Sequence, residues 1–149
     1  MLPRDELRVA DVVREHAASR GDHVALRHGD DTLTYAELDE RSSRLANGLL
    51  ELGATEGSRV AYLGRSAPEV IELLFAAAKV GAVLVPLNWR LSVSELGAVL
   101  DDSRAPLLVA AITGFMLGQL VTPTDDFEER IFRPALERLF TKLVEPVTA

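Results

Sequence analysis

Apolar residues along this chain follow two alternating rhythms, helical spacing and short unbroken runs. Around Ala10 to His16, Val12, Val13 and Ala17 lie among charged neighbours, which predicts a short surface helix. Val24 to Gly29 reads as a strand, and Gly29-Asp30-Asp31 supplies the turn of a hairpin leading into Thr32-Leu33-Thr34. Thr34 stands three residues before Glu37, the spacing at which two side chains satisfy each other's otherwise unpaired N–H groups at a helix start. Tyr35, Leu38, Leu45, Leu49 and Leu52 then recur at helical spacing, and Gly53 follows where a left-handed cap is needed. An amphipathic helix over Tyr35 to Leu52 is the expectation.

From there the element type alternates. Arg59 to Gly64 is a short apolar run bounded by Gly57-Ser58 and Arg65-Ser66, suited to a buried strand. Pro68 opens a helix running from Glu69 to Val80, because the first helical position needs no N–H, and Gly81 ends it. Ala82 to Pro86 predicts a second buried strand, stopped by the proline. Ser92 or Ser94 caps a third helix, Glu95 to Leu100, and Leu107 to Val109 reads as a third strand. Strands that are apolar throughout, separated by helices, mean crossover units and a parallel sheet covered on both faces. The predicted fold is α/β: a partial doubly wound sheet of parallel strands with crossover helices over residues 1–109, then a helical tail over residues 110–149.

In that tail Phe127, Ile131, Phe132, Ala135, Leu136, Leu139, Phe140 and Leu143 share one helical face, with Pro134 predicting a kink. No strand is expected after about Ile112. Leu107 to Val121 carries no charge, but it is shorter than the roughly 20 residues a bilayer crossing needs, so it reads as a buried core element. Gly114 and Gly118 have the spacing that lets helices approach closely.

Composition narrows the function. The chain has 149 residues, 16 Lys plus Arg against 23 Asp plus Glu, a formal net charge of −7, and 48% hydrophobic residues. That length allows one ordinary domain, and the acidic balance lacks the clustered basic residues of a nucleic-acid binder. The absence of Cys excludes disulfides, thiol catalysis and Cys-ligated zinc, and fits a reducing, cytoplasmic setting. MLPRDELRVA has no apolar core of a secretory signal, and no membrane partner is expected.

Thr32 to Val109 resembles the N-terminal subdomain of the adenylate-forming enzymes, which include acyl-CoA synthetases, luciferases and peptide-synthetase adenylation domains. The matching pieces are Leu33-Thr-Tyr-Ala-Glu-Leu38, Arg44-Leu-Ala-Asn-Gly-Leu49, Gly57-Ser-Arg-Val-Ala61 and Ser66-Ala-Pro-Glu69. They continue in Lys79-Val-Gly-Ala-Val-Leu-Val-Pro-Leu-Asn88, Ser94-Glu95-Leu96 and Leu100-Asp-Asp-Ser103. Asn-Trp-Arg-Leu after Pro86-Leu87 is most similar to the fatty-acyl-CoA ligase branch. The resemblance implies formation of an acyl-adenylate from a carboxylate and ATP, then transfer to a thiol, with ATP, Mg and coenzyme A used by the full-length family. It also implies a Ser/Thr/Gly-rich phosphate loop ending in Pro-Lys, an aromatic-Gly-x-Thr-Glu segment, a ribose-binding Asp and a C-terminal catalytic Lys, and none of these stands in this sequence. No cofactor is therefore expected for the chain alone, and it is expected to be inactive by itself. The pattern departs from the family near Val109, as in a truncated, fused or frame-shifted reading frame. The tail faintly resembles the C-terminal domain of TetR-type regulators.

Few residues invite a site. His16, His23 and His28 have no zinc spacing, Ser42, Ser43 and Ser66 lack a nucleophile context, and the glycines at 48, 53, 57 and 64 read as turns and caps. The acidic pairs Asp101-Asp102 and Asp125-Asp126 read as loop and helix-start charge, not as a metal site. Asn88, Trp89 and Arg90 follow the carboxyl end of a strand, where open α/β sheets bind ligands, and are the substrate-proximal candidates. The alternative to a ligase fragment is a non-enzymatic module that pairs with a second copy or a longer partner through its tail helices.

Overall fold

The computed structural model describes residues 8–112 and 115–120. In chain order its elements are α1 (Val9–Arg20), β1 (Val24–His28), β2 (Asp31–Thr34), α2 (Tyr35–Glu51) and β3 (Arg59–Gly64), followed by α3 (Pro68–Val80), β4 (Val83–Asn88), α4 (Val93–Ser103), β5 (Leu107–Ile112) and β6 (Phe115–Leu120). Strands β1 and β2 form an antiparallel hairpin, and the other four form one sheet in the order β4-β3-β5-β6. Strand β3 lies parallel to both β4 and β5, so the α/β architecture expected from the alternating pattern is present.

The two faces of β3 divide the core, as a period-2 strand requires. Val60 and Tyr62 point to one side, packing with Ala46 and Leu49 of α2 and Leu73 and Ala76 of α3. Ala61 and Leu63 point to the other, where Leu96 and Leu100 of α4 cover them. A third cluster, Val13, Leu33 and Leu38, seats α1 and the hairpin against α2. Burying Leu73, fully enclosed in the first cluster, contributes about 2 kcal/mol by area transfer alone.

Caps set the helix ends. The Thr34 side chain accepts from the Glu37 N–H at 3.3 Å, while Glu37 accepts from the Thr34 N–H at 2.8 Å. The same reciprocal arrangement joins Ser92 and Glu95, so Ser92, not Ser94, starts α4. Gly81 ends α3 in a left-handed conformation with φ 72°.

A knot of polar groups clamps α2 to α3. The Lys79 ammonium, with only 8% of its side chain exposed, donates to Asp39 Oδ1 at 2.6 Å and to the Asp39 carbonyl at 2.8 Å. It also reaches Ser42 Oγ at 2.9 Å and Ser43 Oγ at 2.7 Å, and both hydroxyls donate hydrogen bonds to the Asp39 carbonyl. Arg41 and the buried Glu72 pair at 3.3 Å across the same interface.

Four expectations need correction. Helix α1 runs to Arg20, past His16. Strand β4 continues through Pro86 to Asn88; it is an edge strand among the described residues, where a residue without an N–H is tolerated. Asp101 and Asp102 lie in the last turn of α4, not in a loop, and Arg104 follows as a left-handed cap with φ 49°. Where a helical tail was expected from residue 110, β5 extends to Ile112 and the chain returns as β6, antiparallel to β5. Gly118 therefore lies in a strand, opposite Val109, instead of packing helices. An uncharged apolar run carries no period that separates strand from helix, and pairing with β5 decides the matter. The expected helical face from Phe127 to Leu143, the kink at Pro134 and the tail-mediated partner fall outside the described residues. Among the described residues no helix is long and apolar enough to cross a membrane.

Candidate functional site

Because β3 and β4 are parallel and in register, Gly64 stands opposite Asn88 and both strands end at the same level. The loops that follow, starting at Arg65 and at Trp89, are thereby brought side by side at the carboxyl end of the sheet. Open α/β sheets place ligands at this end, since the loops there converge while the strands themselves stay rigid.

Trp89 is the centre of the arrangement and is 44% exposed. Two guanidinium carbons approach its ring centroid, that of Arg65 at 4.9 Å and that of Arg90 at 4.9 Å. A guanidinium over an indole gains from the ring quadrupole and keeps its in-plane N–H donors free for another partner. Asn88 shapes the turn: its Oδ1 accepts from the Arg90 N–H at 3.1 Å. The Tyr62 hydroxyl donates to the Arg65 carbonyl at 3.1 Å, tying the first loop to the sheet. Burial pushes the Tyr62 phenol above its ordinary value of 10.0, and the Glu69 carboxylate adds to the shift, so Tyr62 remains a donor at all physiological pH.

The side chains at this end of the sheet are suited to contact and not to proton transfer. Arginine stays protonated, asparagine and tryptophan do not titrate, and none of them supplies a nucleophile or a base near neutrality. The exposed groups are donors and cations, which suit a phosphate or carboxylate and not a divalent cation, whose ligands are oxygens. Among the described residues there is no group of three His, Asp or Glu side chains placed to hold a metal ion.

The structure thus brings Asn88, Trp89 and Arg90 together as one turn and adds Arg65 and Tyr62, which sequence reasoning missed. The available signal was the same strand-end rule applied to β3: Arg65 follows its last residue just as Trp89 follows that of β4. A separate groove of about 750 Å³ opens between the hairpin, α2 and the start of α3. Its lining sets Arg41 and Arg44 against Asp31, Glu69 and Glu72, so it presents no field of single sign.

Parallel strands and crossover helices define an open α/β fold with a cationic surface at its strand ends. Comparison with known proteins carries this further. The family model of the AMP-binding enzymes matches residues 13–146, and the chain belongs to that family. The match runs past residue 109, and the likeness of the tail to TetR-type regulators finds no support. Feruloyl-CoA synthase of Amycolatopsis sp is 55% identical over 86 residues, which cover 58% of this chain and 18% of that protein. Indoleacetate–CoA ligase of Aromatoleum aromaticum is 33% identical over 125 residues, 84% of this chain and 23% of that protein. A crystal structure of a long-chain-fatty-acid CoA ligase from Rhodopseudomonas palustris superposes with a TM-score of 0.66 at 40% identity, covering 70% of this chain and 26% of the other. The chain spans about a fifth of the length of these two relatives, and less of several others it matches.

Proposed function

We propose that this chain forms the N-terminal part of an acyl-CoA ligase of the AMP-forming type, a scaffold for carboxylate activation that does not activate carboxylates by itself. The family match over residues 13–146, with CoA ligases among the relatives, carries the reading. In it the loops at Arg65 and at Asn88 to Arg90 face the ligand crevice and receive an anionic part of a substrate. ATP and coenzyme A are the phosphate-bearing substrates that such a reaction supplies, and their phosphates suit the two guanidiniums. Inactivity of the isolated chain is supported by the sequence, which contains no Ser/Thr/Gly-rich loop ending in Pro-Lys. A cytoplasmic setting fits the cysteine-free composition.

Carboxylate-dependent ATP–pyrophosphate exchange tests the proposal directly. The purified chain is expected to give no exchange with aromatic or fatty carboxylates, and robust exchange would overturn the inactivity. Replacing the matching segment of a full-length CoA ligase by residues 13–109 of this chain is expected to give a folded, active chimera. A folded chimera without activity would argue against the scaffold role.

A further inference from the structure

We infer that Arg65 is a second anion-binding guanidinium of the strand-end site, acting with Arg90 on one diphosphate-bearing ligand across the Trp89 ring. The inference rests on the ligand-facing reading of the two loops given above.

Three observations carry it. First, both guanidinium carbons stand 4.9 Å from the same ring centroid, so they lie within about 10 Å of one another, a span that a diphosphate bridges with charge-assisted N–H···O contacts at each end. Second, among the described residues neither arginine pairs with an acid: the ion pairs there use Arg14, Arg41, Arg44 and Lys79. Third, both arms are held at their bases. The Tyr62 hydroxyl fixes the Arg65 carbonyl, and Asn88 Oδ1 fixes the Arg90 N–H, so less freedom is lost when a ligand arrives. The raised pKa of Tyr62 keeps that donor in place through the working pH range.

The experiment uses the whole 149-residue chain, inorganic pyrophosphate as the probe and the emission of Trp89, the single tryptophan, as the signal. Isothermal calorimetry is run beside it, since removing a stacked arginine alters the emission by itself. Wild-type protein is expected to show a saturable response that sodium chloride at matched ionic strength does not reproduce. Arg65→Ala and Arg90→Ala are each expected to raise the dissociation constant about tenfold, equivalent to about 1.4 kcal/mol. Arg65→Lys, which keeps the charge without the planar fork, should fall between them and wild type. Unchanged thermal melting of the three variants is the folding control. If Arg65→Ala binds as wild type while Arg90→Ala is weakened, Arg65 is only a stacking residue and the inference fails, with the ligand-facing reading intact. If wild type itself gives no saturable binding, the anion-binding reading of this end fails, and the inference with it. Either failure leaves the family membership untouched.

Discussion

Replacing Lys79 by Met removes one charge from between α2 and α3 while keeping the length of the apolar stem. The ammonium is the donor for four oxygens, two from Asp39 and one each from Ser42 and Ser43. Without it, the two serine hydroxyls still donate to the Asp39 carbonyl, but their lone pairs and the Asp39 carboxylate lose their partner. Ser42 is completely buried, so water cannot reach its oxygen, whereas the Asp39 side chain is 28% exposed and is partly rehydrated. Removing one member of a fully buried ion pair costs about 3–5 kcal/mol; the access of water to Asp39 lowers the expected loss to about 2–3 kcal/mol. For a domain of this size that is a fall of about 5–10 °C in Tm. Urea unfolding followed by circular dichroism measures it, with Asp39→Asn and the double variant completing a cycle. Once the ammonium is gone, neutralising Asp39 should cost much less than in wild type, giving a coupling of at least about 1 kcal/mol. Simple additivity, or a Tm loss under about 2 °C for Lys79→Met, would show that the knot is a surface contact in effect and refute the reasoning.

The remaining predictions concern caps, a turn and a phenol. Thr34→Ala and Ser92→Ala should each lower stability by about 1 kcal/mol, read from denaturant midpoints. Hydrogen bonds from Thr34 hold the Glu37 carboxyl below its ordinary 4.5, and those from Ser92 do the same for Glu95. Their contribution is therefore present above pH 4.5 and lost as pH falls through the depressed folded values; Ser92→Ala, which removes the main bond to Glu95, should weaken this acid dependence more than Thr34→Ala, which keeps the backbone N–H that is the main donor to Glu37. Gly81→Ala places a side chain at φ 72°, with its Cβ 3.1 Å from Glu56 Cγ, and should cost about 1–2 kcal/mol in the same assay. For Tyr62 the folded value lies above 10.0, so stability is intact below pH 10 and falls as pH climbs through the raised value; Tyr62→Phe should flatten that alkaline loss.

What could be read from the chain alone follows the range of the forces involved. The hairpin and α2 depend on neighbours three or four residues apart, Gly29 at the turn and Thr34 with Glu37 at the cap, and both are visible in the letters. Ser92 and Ser94 are locally equivalent candidates, and only the carboxylate of Glu95 three residues on favours the first. Pro86 reads as a stop because nothing in its vicinity says that β4 is an edge strand among the described residues. The run after Leu107 has no charge to mark a face, so whether it forms a helix or a hairpin was settled by pairing with β5. In the candidate site, Asn88 to Arg90 were legible as a strand end. Arg65 became part of it only through the register that sets Gly64 against Asn88. Lys79 and Asp39 were silent for the same reason: their 40-residue separation is closed by helix packing that no local pattern encodes.

Thr34 is at once the last residue of β2 and the N-cap of α2, so strand and helix share a residue with no linker between them. Such a joint transmits torque: the hairpin cannot swivel without unwinding the first turn of the helix, and the two respond to load as a single lever. Added residues between Thr34 and Tyr35 would disconnect that lever at its fulcrum and disrupt both arms together. The tip at Gly29 and Asp30 is the opposite case, free of such leverage, and is the place on this hairpin where a label or an inserted tag can be carried without bending the rest.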